Sequence, residues 1–235
     1  TFWDVQFVDE NRGYAVGVDY IGAQGPPVYR TLDGGDSWEK TLMKNHDMEG
    51  LYGVAVMEDR VIGVGDHDFV ATSTDPWGTY EWPWGENLFT QAYINIHYEF
   101  EDVFFVDENH GWAVGSRSFI PEHLGQVIFY TADGGLTWET QYEQAPLLDS
   151  LFSVFRLDSV YFVDSQNGWA VGRSENDESY ETHWAILHTS DGGLHWDEQG
   201  HELTEGLSPE FFAVQFLDSQ NGWALDKGHY DPDND

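Results

Sequence analysis

The chain has 235 residues, of which 43 are Asp or Glu and only 9 are Lys or Arg, giving a formal net charge of −34. Such a surface repels nucleic acid and anionic lipid, for want of basic groups to neutralise phosphates, and it favours cations, basic partners and high salt. The absence of Cys removes disulfides, thiolate metal sites and a cysteine nucleophile, and no run of about 18 apolar residues offers a membrane-spanning helix.

Val5 and Phe7 alternate with other residues at period two, the pattern of a half-buried strand. A hairpin at Asp9-Glu-Asn-Arg-Gly13 leads to a short apolar strand, Gly13-Tyr-Ala-Val-Gly17. A third strand at 28–30 runs into Thr31-Leu-Asp33-Gly-Gly-Asp-Ser-Trp38, where adjacent glycines suit a turn with positive φ. A fourth strand follows Trp38. A weaker copy opens with Leu51-Tyr-Gly-Val-Ala-Val-Met57 and Val61-Ile-Gly-Val-Gly65. Its turn, Ser73-Thr-Asp75-Pro-Trp-Gly-Thr-Tyr-Glu-Trp82, is two residues longer than the others. An aromatic insertion over 73–100 then holds Trp77, Tyr80, Trp82, Trp84, Phe89, Tyr93 and Tyr98.

The third copy reads Glu101-Asp-Val-Phe-Phe-Val-Asp107, Gly111-Trp-Ala-Val-Gly115 and Thr131-Ala-Asp133-Gly-Gly-Leu-Thr-Trp138. The fourth reads Asp158-Ser-Val-Tyr-Phe-Val-Asp164, Gly168-Trp-Ala-Val-Gly172 and Thr189-Ser-Asp191-Gly-Gly-Leu-His-Trp196. A fifth begins with Phe212-Ala-Val-Gln-Phe-Leu-Asp218 and Gly222-Trp-Ala-Leu225. Four short antiparallel strands recurring about every 50 residues are the signature of propeller blades. The expectation is therefore an all-β chain forming one β-propeller domain of four-stranded antiparallel blades. The blades fall at approximately 1–45, 50–90, 98–145 and 155–202, with the first two strands of a fifth over 210–235. The start of a fifth unit points to part of a larger propeller.

The Ser/Thr-x-Asp-x-Gly-x-x-Trp turn resembles the Asp box, or BNR repeat. Coupled to Gly-Trp-Ala-Val-Gly, it is most similar to the photosystem II assembly and stability factor-like propellers, a family also found in secreted bacterial proteins. The resemblance implies that Asp33, Asp133 and Asp191, with the less regular Asp75, cap hairpins by accepting bonds from turn amides. It implies that Trp38, Trp82, Trp138 and Trp196 pack between blades. A carboxylate that accepts several N–H bonds is stable in its charged form, and an Asp repeated in several blades cannot constitute one active site.

Function must then lie in what departs from the repeat. Sialidases share the Asp box but need three converging arginines. Here Arg12 falls in a hairpin and Arg30 just before a box. No Gly-x-Ser-x-Gly, His-x-x-x-His or His-Glu-x-x-His motif occurs. His46-Asp47 and Asp66-His67-Asp68 are read as solvated loop residues. Trp77, Tyr80, Trp84, Phe89 and Tyr93 are the candidate binding aromatics, which suit sugar stacking or peptide docking. The long connections 18–27, 116–126 and 173–183 are expected on one face as an acidic rim. Asp231-Pro-Asp233-Asn-Asp235 resembles the opening of a calcium loop with oxygen ligands at alternate positions. No cofactor is required.

The leading expectation is a non-enzymatic extracellular or cell-surface bacterial scaffold for a protein or glycan partner. The alternatives are a glycoside hydrolase, a segment of a surface fibre or adhesin within a larger assembly, and a photosystem-type assembly factor.

Overall fold

The computed structural model describes residues 1–18, 26–43, 50–66, 69–74, 76–77, 81–82, 86–87, 96–119, 123–144, 153–176, 183–200 and 209–227. Among them every regular element is a strand. The first blade is β1 (Phe2–Phe7), β2 (Gly13–Gly17), β3 (Val28–Thr31) and β4 (Glu39–Met43), paired antiparallel in that order. The second is β5 (Leu51–Val56), β6 (Val61–Gly65) and β7 (Phe69–Ser73). Its outer strand is not the segment at Trp82. The two-residue β8 (Glu81–Trp82) runs parallel to β4 and widens the first blade, while β9 (Glu86–Asn87) pairs with β7.

The third blade is β10 (Ile96–Phe105), β11 (Gly111–Phe119), β12 (His123–Thr131) and β13 (Glu139–Gln144). The fourth is β14 (Ser153–Phe162), β15 (Gly168–Asn176), β16 (His183–Thr189) and β17 (Asp197–Glu198). Much of what reads as long connections in the sequence is strand. Ser116–Phe119 pairs with His123–Gln126, and β15 continues to Asn176. Residues 19–25 and 177–182 lie outside the described set. The last unit is the hairpin of β18 (Phe211–Asp218) and β19 (Asn221–Asp226).

Buried side chains form clusters between consecutive blades. Tyr14, Val16, Val54 and Phe69 join the first to the second, and Trp112, Val114, Val160 and Phe162 join the third to the fourth. Each sheet is thus covered by its neighbours, which is how a repeat too thin to hold its own core becomes stable.

Two aspartate caps hold the hairpin end of each regular blade. In the box, Asp133 Oδ1 accepts from the Thr131 hydroxyl and from the amides of Leu136 and Thr137, at 2.8, 3.0 and 2.9 Å. Gly134 and Gly135 carry φ of 72° and 86°, which only glycine adopts without strain. Asp33 and Asp191 likewise accept from the preceding Thr hydroxyl and from the amide four residues ahead. The second cap lies in the turn between the first two strands. Asp107 accepts the amides of Asn109 and His110, as Asp9, Asp164 and Asp218 accept those of their own turns. Gly34, Gly134 and Gly192 then donate their amides to the carbonyls of Asn11, Asn109 and Gln166, tying the two turns together.

Candidate functional site

The innermost strands β1, β5, β10, β14 and β18 line a central channel of about 530 Å³. Each breaks register at the same place: between Phe2 and Asp4, Leu51 and Gly53, Phe100 and Asp102, Leu157 and Ser159, and Phe211 and Ala213, with a second break in β18 between Phe216 and Asp218. A bulge leaves one residue unpaired and re-aims its side chain. The extruded residues are Trp3, Tyr52, Glu101, Asp158 and Phe212. All five line a single cavity of about 350 Å³, together with Glu99, Arg156 and Lys227. This mouth lies at the opposite end of the inner strands from the aspartate-capped turns.

In four of the five units a glycine closes the second strand opposite the bulge, and in the last hairpin Asp226 takes that place. A Cβ on Gly17, Gly115 or Gly172 would collide with the carbonyl oxygen of Thr1, Glu99 or Arg156, respectively. In the regular blades a glycine gives the bulged strand close approach, and the bulged position itself varies from blade to blade.

Trp3 and Phe212 are 57% and 39% exposed, enough to offer apolar faces to a ligand. Trp3 meets Tyr52 edge to face at 5.9 Å, and the Tyr52 hydroxyl donates to Asp66 Oδ1 at 2.5 Å, which fixes that ring. Arg156 lies between the two carboxylates, with Nη1 at 3.3 Å from Glu101 Oε1 and Nε at 3.1 Å from Asp158 Oδ1. Buried Arg173 pairs with Glu210 at 2.8 Å and approaches Asp158 at 4.0 Å. Burial pushes the Glu101 carboxyl up to about 7; Arg156 opposes the rise, while Asp158 and Glu99 add to it. Burial likewise raises Asp158, against the pull of Arg156, Arg173 and Lys227. Asp158 Oδ2 is buried without a hydrogen-bond partner, and only 10% of its side chain is exposed.

Just inside the mouth, carboxylates staple neighbouring blades. Asp4 Oδ2 accepts the Val54 amide at 2.8 Å, and Asp102 Oδ2 accepts the Val160 amide and the Ser159 hydroxyl at 2.9 and 3.1 Å. Burial raises Asp102 to about 7, with the charge of Asp4 second, and these donors oppose it. The corresponding residue of the second blade is Gly53, where a Cβ would stand 2.8 Å from the Asp102 Cα. There, close approach of two backbones replaces the staple.

Of the aromatic residues expected to bind a partner, Trp77 is the one among the described residues, and it does not line this mouth. Trp77 sits between the first two blades: its indole N–H donates to the Glu58 carbonyl at 2.8 Å, Arg12 lies 4.9 Å over its ring, and it packs against the core. Its neighbour Pro76 accepts from Tyr14 and Arg30 through its carbonyl. Trp77 is an internal clamp. Asp75, Tyr80, Trp84, Phe89, Tyr93, Asp231, Asp233 and Asp235 lie outside the described residues, as do His46, Asp47, His67 and Asp68. The backbone of Trp82 is in β8, against the first blade rather than in the hairpin where the repeat pattern puts it. Trp38, Trp138 and Trp196 meet Phe7, Phe105 and Phe162 of their own blades edge to face, and Trp138 and Trp196 also pack into the clusters shared with the preceding blade. Among the described residues no group of His, Asp and Glu forms a metal site, and no helix is long and apolar enough to cross a membrane.

Residues 84–176, which span the third blade and the inner strands of the fourth, match the family model described as Photosynthesis system II assembly factor YCF48. The chain is an Asp-box propeller similar to the photosystem II assembly factors. The Photosystem II assembly lipoprotein Ycf48 of Synechococcus sp. (strain CC9902) is 31% identical over 141 residues, covering 58% of this chain and 32% of that protein. The match therefore spans about a third of the relative's length. YCF48 from Cyanidioschyzon merolae aligns over 96% of this chain and 66% of its own, with a TM-score of 0.53 at 16% identity. A Trypanosoma rangeli sialidase aligns over 93% of this chain and 42% of its own, with a TM-score of 0.56 at 12% identity. These two likenesses show the propeller fold. The bulge ring escaped sequence reading because Glu101-Asp102 and Asp158-Ser159 look like ordinary polar positions in alternation. The signal that marks it is the second glycine of Gly-x-Ala-Val-Gly, one strand away.

Proposed function

We propose that this chain is a non-enzymatic scaffold of the assembly-factor type, holding a segment of a protein partner at the mouth of its central channel. The observation that carries this reading is the bulge ring, in which five blades each contribute one side chain to a common cavity. Similarity to the photosystem II assembly factors supports a protein as the occupant. A relative described as a lipoprotein favours work at a membrane surface over the freely secreted location that composition alone suggests.

A second reading, glycoside hydrolysis, draws on Glu101, whose carboxyl is raised to about 7 beside Asp158 and near aromatic rings. Two catalytic carboxylates must leave a lane of roughly 5–9 Å for the scissile bond. Here Arg156 fills the space between them and pairs with both, which disfavours the hydrolase.

An array of overlapping peptides from photosystem II subunits and from unrelated membrane proteins tests the scaffold. Binding by some of these peptides, weakened in Trp3→Ala and Phe212→Ala with the melting temperature unchanged, is the expected result. Hydrolysis of any member of a glycan panel, abolished by Glu101→Gln, would replace this reading with the second one.

A further inference from the structure

The mouth contains more acceptor capacity than its own residues use. Arg156 bonds Glu101 through Nη1 and Arg173 bonds Glu210 through Nη1, and Arg156 Nε lies 3.1 Å from Asp158 Oδ1 as an ion pair outside hydrogen-bond geometry, so both guanidinium groups are paired inside the protein. Asp158 Oδ2 is buried in the wall of the same cavity with no donor. An unsatisfied buried carboxylate oxygen costs stability until a donor arrives. Around it stand three aromatic side chains from three different blades, two of them well exposed. Aromatic faces attract cations through the ring quadrupole, the more so when the cation is desolvated. The wider field, set by a net charge of −34, concentrates cations at the surface and repels anions.

We propose that the mouth is a cation-recognition site, in which a Lys or Arg side chain of the bound segment inserts among Trp3, Tyr52 and Phe212 and donates to Asp158 Oδ2. This rests on the scaffold reading above and specifies the partner's chemistry. The incoming charge faces the carboxylates Glu99, Glu101 and Asp158, against the resident cations Arg156, which is paired with Glu101 and Asp158, and the exposed Lys227 at the rim. Burial already makes the ionised form of Glu101 costly, and a cation beside it offsets that cost. A sugar would satisfy the orphan oxygen through a hydroxyl and stack on the rings, but it would gain nothing from the acidic field.

The test takes peptides that bind in the array and replaces each Lys and Arg, one at a time, by Gln and by Glu. Dissociation constants are measured by calorimetry at low and high salt. One basic position should dominate: its Gln form should bind at least about tenfold more weakly, equivalent to roughly 1.4 kcal/mol, its Glu form more weakly still, and the gap should shrink in salt. Asp158→Asn and Trp3→Ala should each bring the Lys or Arg peptide down to the level of its Gln form. Trp3 is exposed, so its variant stays informative even if Asp158→Asn disturbs folding. Equal or tighter binding of the Gln or Glu forms overturns the inference while leaving the scaffold intact, as does full discrimination surviving Trp3→Ala. An array with no binding peptide overturns both.

Discussion

Trp112 and Phe162 stack face to face across the boundary between the third and fourth blades, with ring centroids 3.5 Å apart and planes 11° from parallel. Trp169 and Phe216 repeat the contact at the next boundary, at 3.5 Å and 8°. The aromatic of each Gly-Trp-Ala-Val motif thus lies on a phenylalanine at or near the end of the following inner strand. The same positions at the two outermost units have no such neighbour among the described residues: Phe7 is 41% exposed and Trp223 is 58% exposed.

That contrast gives the first prediction. Trp169→Ala removes a buried ring from an inter-blade stack and should cost about 3–5 kcal/mol. Trp223→Ala changes the same motif position where the ring is exposed and should cost within about 0.5 kcal/mol. Urea unfolding of the two variants checks the pair, and equal losses would show that the stack does not bind blade to blade.

The buried carboxyls near the mouth set a pH dependence. Glu101 and Asp102 are both raised to about 7, chiefly by burial, from ordinary values of 4.5 and 3.8. The folded state therefore holds more protons than the unfolded state between those limits, so stability is fully present below them and falls as pH rises through about 7. The groups that act on Glu101 are Arg156, Asp158, Glu99 and Arg173. Repulsion across the acidic surface has the same sign, but about 1 M salt screens it to roughly 3 Å. In high salt the melting temperature should still fall between pH 5 and pH 8, and Glu101→Gln should flatten the curve. A Glu101→Gln curve as steep as the parent would place the proton uptake elsewhere.

The exposed pair Asp191 and His195 gives the opposite kind of window. His195 Nδ1 lies 2.7 Å from Asp191 Oδ2, which raises the imidazole above 6.5 and, with the turn bonds, lowers the carboxyl to about 2. The lowered acid contributes stability above 3.8 that is lost as pH falls towards 2. The raised base contributes stability below 6.5 that is lost as pH rises through its folded value. The pair is thus fully effective between 3.8 and 6.5. An NMR titration should find His195 above its ordinary value, and Asp191→Asn should return it there. The equivalent residue of the preceding box is Thr137, whose hydroxyl bonds Asp133 at 2.6 Å, so His195→Thr should keep the turn and abolish this titration.

The repeat was legible because its chemistry is local. Asp133 bonds amides three and four residues ahead, and Gly134 and Gly135 need positive φ, so the turn announces itself in a short stretch of sequence. The caps at Asp9, Asp107, Asp164 and Asp218 are equally local and equally visible, as an Asp followed by polar residues before the motif glycine. The mouth was not legible, since a bulge is a mismatch between two strands and neither strand shows it alone. Trp77 looked available for binding because the sequence cannot show that the Glu58 carbonyl and the Arg12 guanidinium already occupy it.

Gly172 offers the sharpest test of how the mouth is made. It pairs with Leu157, just before the register shift that extrudes Asp158, and a Cβ there would meet the Arg156 carbonyl, which is backbone and cannot swing aside. Gly172→Ala should therefore shift the inner strand of the fourth blade. A one-residue change of register exchanges the faces of a strand, so Arg156 and Asp158, which both line the mouth, would lose their places there. The expected outcome is a loss of about 1–3 kcal/mol from overpacking, together with loss of partner binding at a residue that does not line the cavity. Gly168→Ala in the same strand provides the control. Its Cβ would meet the Phe162 ring at the capped end, so it should reduce stability with partner affinity retained in the folded fraction. Equal loss of affinity in both variants would mean that the bulge does not form the site.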